Sequence, residues 1–370
     1  MLKRMIIGSL AAVCLFILAA CNGGDDYRRV DEISWAMDTM PSISIFYRGP
    51  DNDRTQQRYR DIARQALSIV DEVELIFSMH IEGTDVWRIN NAGGAAVEVH
   101  PYVIYVLEEA LRLRELTGGV FDVTIGSATQ LWEFAGNDIG GTRPTNQAVA
   151  AAMAGVGANI YIEGNTVRLG HPETVIDLGG IAKGFAADLA AEFLREQGVA
   201  GIVNLSGDIT TSGINPNGNL WSIGPNIPFT PMLQTATHFI IEIGEASSVT
   251  SGIDSRYFTM GGRYYHHIID PQTGFPPYIA LGPGSAPGMP ILRSDTMVSA
   301  TVVSPTSLFG EGFATAAFLL GADAVLELVE TLPDVEIALG FMDLSVRHSS
   351  GFGQRDNLSI TLFDFSEFFE

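Results

Sequence analysis

The stretch from Ile176 to Ala190 combines residue types that suit an anion-binding turn. An apolar strand end leads into Asp177, after which Gly179 and Gly180 let the backbone approach a ligand closely. The predicted helix that follows points free N–H groups at this turn and carries Lys183, so a phosphate is a natural ligand. Asp177 could then bind a polar ring or a ribose edge. For two glycines alone, a packed strand–turn–helix joint would be the favoured interpretation.

A second pair of candidates, Glu311 and Thr315, lies four residues apart at the start of a predicted helix, so both side chains share one face. A carboxylate and a hydroxyl in this arrangement can hold Mg²⁺, which takes few protein oxygens and completes its shell with water and substrate phosphates. From this pattern alone, a helix-start Glu and a packed Thr are the simpler interpretation. As a metal ligand, the Glu311 carboxylate would face a solvated site.

Two consecutive histidines, His266 and His267, fall on a predicted strand and would therefore point to opposite sides of it. Only one of them can face a site. A neutral imidazole there could accept the proton of an attacking hydroxyl group.

The motifs IDLGGIAKG and HIIDPQTG occur with AMDT, GGVFDVTIG and EGFATAAFLLG in an order that resembles the ApbE family. The resemblance extends from about Ile33 to Leu332, and the first two motifs are the specific ones. It implies an Mg²⁺-dependent FAD:protein FMN transferase, which moves the FMN half of FAD onto a Thr hydroxyl of a partner protein and releases AMP.

The same resemblance assigns roles to individual residues. It implies that His267 is the catalytic base and that Glu311, Thr315 and the backbone carbonyl of Gly180 bind the metal. The family usually has Asp where this chain has Glu311. Asn90 matches a family Asn near the nucleotide. The residues expected to contact the flavin nucleotide are Met37, Val120, Phe121, Asp122, Asp177, Lys183 and Ile268.

Hydrophobic periodicity predicts the elements that position these residues. Apolar residues at intervals of three and four predict a helix over Thr55–Phe77, and a second helix is expected over Pro101–Leu116. After the central motif, Ile181, Phe185, Leu189 and Phe193 would line one helix face. Helices and strands alternate without a regular βαβ order, which indicates an α+β fold. The resemblance implies two intimately packed lobes around the flavin-nucleotide site.

The N-terminus has the features of a bacterial lipoprotein leader. Lys3 and Arg4 precede an apolar run, and small residues lead into Cys21, which resembles a lipobox. We therefore expect a signal peptide over residues 1–20, a tether over 21–32 and one FAD-binding domain over 33–370. The mature protein would be exported and lipid-anchored through Cys21 to a bacterial membrane, on its periplasmic or outer face. Because Cys14 leaves with the leader, no internal disulfide is expected.

The charge balance limits the partners of this chain. The formal net charge is −22, and removal of the leader makes it two units more negative. So acidic a chain argues against nucleic acid as a partner. It also gives FAD no general attraction, so helix ends, Lys183 and a divalent cation would have to hold the pyrophosphate.

Three functions remain open from the sequence. The first is the transferase, the second is an Mg²⁺-dependent FAD pyrophosphatase that gives FMN and AMP, and the third is a non-enzymatic flavin-binding lipoprotein. The stretch DTMVSAT, ending at Thr301, resembles a flavin acceptor motif, although a packed strand is the favoured interpretation.

The leader generates the first testable prediction. Replacing Cys21 by Ser should release the protein from the membrane fraction, because the substitution removes the thiol that would carry the lipid. Cell fractionation followed by immunoblotting measures this, with the unmodified chain as the control. A Cys21→Ser protein that stays equally membrane-bound would rule out lipidation as its anchor.

Overall fold

The computed structural model describes residues 27–134, 141–226, 228–229, 237–285 and 290–363. In these ranges the helices are α1 (Asp53–Phe77), α2 (Asp85–Asn90), α3 (Pro101–Leu116), α4 (Gly126–Thr129), α5 (Asn146–Ala152), α6 (Ala182–Glu196), α7 (Ser307–Leu320) and α8 (Ala322–Val329). The strands are β1 (Tyr27–Ile33), β2 (Ser42–Arg48), β3 (Val97–Glu98), β4 (Ile160–Glu163), β5 (Thr166–Leu169), β6 (Ala200–Leu205), β7 (Asp208–Ser212), β8 (Trp221–Ile223), β9 (Phe239–Ile243), β10 (Ser247–Gly252), β11 (Tyr257–Met260), β12 (Arg263–His266), β13 (Ile279–Ala280), β14 (Met297–Ser304), β15 (Glu336–Phe341), β16 (Val346–His348) and β17 (Leu358–Leu362). The predicted α+β class is confirmed.

An eight-stranded sheet forms the centre of the fold, in the order β1-β2-β6-β7-β10-β14-β15-β16. Every neighbouring pair is antiparallel. Alternate side chains of a strand face opposite sides of the sheet, so in β6 Val203 and Leu205 join the main core while Ile202 joins a second one. Helices α1, α6 and α7 pack on the main-core face. On the other face, the second core is shared with the small sheet β17-β9-β8.

The helices predicted from periodicity begin where local capping favours them. The side chain of Asn52 accepts a hydrogen bond from the Thr55 N–H and starts α1. In α3, Pro101 occupies the first turn, where its missing N–H costs nothing. Both predicted helices are confirmed.

Helix α6 is buried more widely than its apolar pattern indicates. Phe185 is buried, but Leu189 and Phe193 are only partly so. The buried face consists largely of alanines, including Ala186 and Ala190. Leu189 and Phe193 pack against the main core together with Phe185, so the predicted face is confirmed. The alanines extend the buried surface beyond it, because α6 is enclosed by α1, α7 and the sheet.

The N-terminal region differs from the prediction in one respect. The expected tether reached Glu32, but Tyr27–Ile33 forms strand β1, which pairs with β2 at the edge of the large sheet. The second half of this segment is therefore part of the fold. The expected signal peptide and Cys21 lie outside the described residues. No helix in the described part of the chain is long and apolar enough to cross a membrane.

Candidate functional site

Helices α6 and α7 meet at Gly184. A Cβ atom at this position would overlap the backbone carbonyl of Ser307 in α7, so only glycine permits the contact. One turn further along α6, the Asp188 carboxylate accepts hydrogen bonds from the N–H groups of Ser307 at 2.8 Å and Leu308 at 2.9 Å. Burial raises the pKa of Asp188 to about 6, and these two hydrogen bonds act in the opposite direction. Asp188 thus fixes the first turn of α7 against α6.

The carboxylate of Glu311 makes the next contact between the two helices. Glu311 is buried in the second turn of α7, and its Oε2 accepts the Gly184 N–H at 2.8 Å. Its Oε1 forms an ion pair with the Lys183 ammonium. The expectation that Glu311 faces a solvated site is therefore wrong. The close packing at Gly184 brings the carboxylate into contact with the α6 backbone and excludes water.

A second buried carboxylate, Asp208, lies 3.2 Å from Lys183 Nζ through its Oδ2. Burial raises the pKa of Asp208, whereas the charge of Lys183 acts in the opposite direction. Asp208 and Glu311 thus share a single ammonium group. An additional cation would favour the charged form of both carboxyl groups.

Two of the three positions expected to bind metal, Gly180 and Thr315, lie close together, and Glu311 is on the same helix as Thr315. A Cβ atom built on Gly180 would be 3.9 Å from the Thr315 hydroxyl oxygen, and Thr315 follows Glu311 by about one turn of α7. Nowhere in the described ranges do three or more His, Cys, Asp or Glu side chains form a metal-binding group. A cation here would therefore depend on backbone and hydroxyl oxygens as well as Glu311. These hard oxygen donors fit Mg²⁺.

The prediction that His266 and His267 both lie on a strand and face opposite sides of it is wrong. Strand β12 ends at His266, so His267 lies beyond it. His266 is buried, and its Nδ1 accepts the Ile268 N–H at 3.3 Å. Burial, with a smaller effect from the neighbouring His267, lowers the pKa of His266 to about 3. His266 therefore has a structural role.

His267 is partly exposed, and its backbone N–H donates to the Arg256 carbonyl at 3.1 Å. Its Nδ1 is buried and has no hydrogen-bond partner among the residues that the structure describes. Burial lowers the pKa of His267 to about 4, and the positive charges of Arg256 and Lys183 add to this effect. The imidazole is thus neutral at pH 7 and lies within electrostatic reach of Lys183.

The turn that follows His267 is held by its own side chains. Both carboxylate oxygens of Asp270 accept hydrogen bonds, one from the Gln272 N–H at 2.8 Å and one from the Thr273 hydroxyl at 3.0 Å. Gly274 has a φ of 72°, which favours glycine. The DPQTG segment therefore fixes the backbone immediately after the histidine.

Asp177 is also held by the protein. Its Oδ1 accepts the Gly179 N–H at 2.8 Å and its Oδ2 accepts the Thr129 hydroxyl at 2.7 Å. Asn90 binds both backbone groups of Ile176, with its Oδ1 2.7 Å from the N–H and its Nδ2 2.8 Å from the carbonyl. The strand expected before Asp177 is only a single bridge from Val175. Asn90 supplies the backbone hydrogen bonds that a strand neighbour would otherwise give.

The residues expected beside the flavin are only partly brought together. Phe121 is buried, and its ring edge lies 3.6 Å from a Cβ built on Gly180, next to the expected metal ligands. Val120 precedes it and packs against the main core. Asp122 is buried, with its Oδ2 3.1 Å from Arg114 Nε.

Met37 and Ile268, the other two residues expected beside the flavin, lie in different parts of the fold. Met37 occupies a tight turn from Ala36 to Thr39, with a φ of 52° that is unusual for a residue other than glycine. Ile268 is buried in a separate cluster with Tyr264. Thr301 is fully buried in β14, with its hydroxyl 2.9 Å from that of Thr250, so the resemblance of DTMVSAT to an acceptor motif marks a core strand.

Two residues of the site were missed by sequence reasoning, namely Asp188 and Asp208. Asp188 follows Lys183 by five residues on the same helix. Its contact with α7 depends on how the two helices pack, which the sequence of α6 alone does not show. Asp208 follows the buried strand β6 in the segment Ser206-Gly207-Asp208. The sequence could have indicated Asp208, because it is a carboxylate that directly follows a buried strand and a glycine turn.

The fold and this site define an α+β enzyme with a buried, charged site between two helices. The sequence matches the ApbE family over residues 37–339. A Vibrio cholerae protein named FAD:protein FMN transferase is 31% identical over 265 residues, which cover 71% of this chain and 74% of that protein. A Haemophilus influenzae protein of the same name is 28% identical over 337 residues, covering 89% and 91% of the two chains.

Solved structures agree with this match. The flavin transferase ApbE from Vibrio cholerae superimposes with a TM-score of 0.70 at 27% identity, covering 88% of this chain and 98% of that one. An ApbE protein from Thermotoga maritima, at 24% identity, shares the fold with a TM-score of 0.71 and coverages of 87% and 97%. The chain belongs to the ApbE family and is an enzyme of the transferase class.

The burial of Glu311 generates a stability prediction. Glu311→Ala should lower the free energy of unfolding by about 2–4 kcal/mol, because the Gly184 N–H loses its acceptor and Lys183 loses one of its two carboxylates. Chemical denaturation followed by circular dichroism at pH 7 measures this loss. Glu311→Gln is the matched control: it keeps an oxygen acceptor for Gly184 and should lose less. Full stability of the Ala variant would contradict the contacts described above.

Proposed function

We propose that the chain is an Mg²⁺-dependent FAD:protein FMN transferase, which transfers FMN from FAD to a Thr hydroxyl of a partner protein and releases AMP. The observation that carries the proposal is the convergence of Gly180, Lys183, Glu311 and Thr315 at the α6–α7 joint, with a neutral His267 within electrostatic reach. The name FAD:protein FMN transferase of the relatives supports the transfer of FMN from FAD to a protein.

In the proposed reaction, the acceptor hydroxyl oxygen forms a bond to the phosphorus of the FMN half, and the pyrophosphate bond to the AMP half breaks. His267 accepts the hydroxyl proton, which a neutral imidazole with a free acceptor nitrogen can do. Lys183 and the N-terminus of α6 present positive charge to the pyrophosphate. Bound Mg²⁺, held by Glu311, Thr315 and the Gly180 carbonyl, would neutralise the charge that develops on the leaving AMP.

The flavin half of FAD would lie beside the segment from Val120 to Asp122 and Met37, which pack against the same core, whereas Ile268 belongs to another cluster and would have to reach the flavin from there. In this assignment Asp122 acts chiefly by holding its loop, since its carboxylate already binds Arg114 and Thr124. Asp177 likewise orders the glycine turn through Gly179 and leaves its remaining lone pairs for the nucleotide. The enzyme is also proposed to be an exported lipoprotein that meets its acceptor outside the cytoplasm.

The proposed activity is tested by incubating the protein with FAD, Mg²⁺ and a candidate acceptor protein. Mass spectrometry should find one FMN on the acceptor for each AMP released, and EDTA should abolish both products. The matched control is the same acceptor with its target Thr replaced by Val. Release of free FMN and AMP regardless of the acceptor would instead establish a pyrophosphatase, and FAD binding without turnover would establish a flavin-binding protein.

The low pKa of His267 generates a pH prediction. A base must be neutral, so activity is lost as the pH falls through its pKa, which lies at about 4. Arg256→Gln removes the second-largest cause of that low pKa and should move the acid limb of kcat/KM to higher pH. Arg263→Gln is the control, because Arg263 lies on the same hairpin but stacks on Tyr278. An unchanged acid limb in Arg256→Gln would exclude His267 as the base.

A further inference from the structure

The Lys183 ammonium lies between two carboxylate oxygens that have no other hydrogen-bond partner in the described part of the chain. These are Oε1 of Glu311 and Oδ2 of Asp208, both buried. The second oxygen of Glu311 is already committed to the Gly184 N–H. Oε1 is therefore the Glu311 oxygen whose partner is Lys183 alone, so a cation that binds Glu311 through Oε1 meets this ammonium.

In this arrangement, Lys183 and the divalent cation of the proposed function would compete for the same carboxylate. If Glu311 binds a metal through Oε1, the ammonium and the metal require the same oxygen, and two adjacent positive charges in a buried site repel each other strongly. Lys183 must then leave Glu311. Asp208 is the carboxylate that remains within its reach.

Asp208 is built into a rigid part of the fold. It is the first residue of β7 and follows a tight turn in which Ser206 has a φ of 56° and Gly207 a φ of 109°. The side chain of Asn204 accepts the Gly207 N–H at 3.0 Å and closes this turn. Asp208 thus offers a fixed acceptor, whereas Lys183 carries its charge on a flexible stem in the first turn of α6.

A lysine at position 183 suits a side chain that moves from Glu311 to Asp208. Lys183 and Lys3 are the only lysines in the chain, and all other basic side chains, apart from histidines, are arginines. A compact ammonium on a four-carbon stem can pivot between two oxygens, whereas the planar fork of arginine favours one fixed bidentate geometry.

We infer that Asp208 is a positioning residue, which takes over the Lys183 ammonium when a divalent cation occupies Glu311 Oε1. This inference rests on the proposed function, since it requires that Glu311 binds the cation. Asp208 itself binds neither metal nor substrate. It keeps the Lys183 ammonium close to the pyrophosphate, and it reduces the competition between Lys183 and the cation for Glu311.

A double-mutant cycle tests the inference on the full chain, with Mg²⁺ alone titrated by calorimetry. Asp208→Asn should weaken Mg²⁺ binding about tenfold, because Lys183 is then left with Glu311 as its only carboxylate. In a Lys183→Met background the same Asn substitution should change the affinity less than about twofold, since no ammonium remains to be held. Asp323→Asn is the matched control: it removes one exposed carboxylate, paired with Arg347, and should leave Mg²⁺ affinity unchanged.

The outcomes separate the two proposals. If Asp208→Asn weakens Mg²⁺ binding equally in both backgrounds, Asp208 acts on the cation directly and the positioning role is wrong, although the metal site stands. If the unmodified protein binds no Mg²⁺, the metal site of the proposed function fails and the inference fails with it. Circular dichroism of each variant shows whether it is folded.

A measurement on the unmodified chain covers the case in which Asp208→Asn does not fold. Lysine labelled with ¹⁵N at Nζ gives two amine signals, and Lys3→Arg identifies that of Lys183. Addition of Mg²⁺ should shift the Lys183 signal while its protons remain slow to exchange with water, because Asp208 still accepts them. An unshifted signal, or rapid exchange once Mg²⁺ is present, would overturn the proposed change of partner.

Discussion

The arrangement of the site depends on the carboxylate of Glu311, both of whose oxygens are used to join α7 to α6. One oxygen accepts the Gly184 N–H and the other pairs with Lys183. A buried carboxylate is stable only when it is paired and hydrogen-bonded, so any structure that buries Glu311 must bring this part of α6 against it. The turn that carries Gly180 directly precedes α6 and is brought to Thr315 by the same contact.

Small residues make this contact possible. Gly184 admits the Ser307 carbonyl, and at Gly312 an added Cβ would lie 2.5 Å from the Leu113 side chain and 3.2 Å from the Phe121 ring. The alanine-rich face of α6 continues the same close packing along the helix. Because interiors are packed at near-crystalline density, side chains in such a joint have few alternative positions. The site is therefore placed by the core of the protein rather than by mobile loops.

The local charge of the site follows the charge of the whole chain. The chain is strongly acidic, and at the α6–α7 joint two buried carboxylates share one ammonium. In the proposed reaction, a divalent cation would balance these carboxylates and the pyrophosphate together. Of the two carboxylates that contact Lys183, Asp208 lies on strand β7 and not on α6 or α7.

Local sequence determined the α+β class, the helices over Thr55–Phe77 and Pro101–Leu116, and the family, because capping, periodicity and short motifs are properties of neighbouring residues. The grouping of Gly180 with Thr315 came from the family resemblance and is consistent with their proximity in the fold. Tertiary structure alone decided that Glu311 is buried and that Asp188 and Asp208 belong to the joint. These outcomes depend on contacts between residues more than a hundred positions apart, as for Gly184 and Glu311. The sequence of one segment does not show which distant segment will pack against its charged residues. Burial depends on all the elements that pack together.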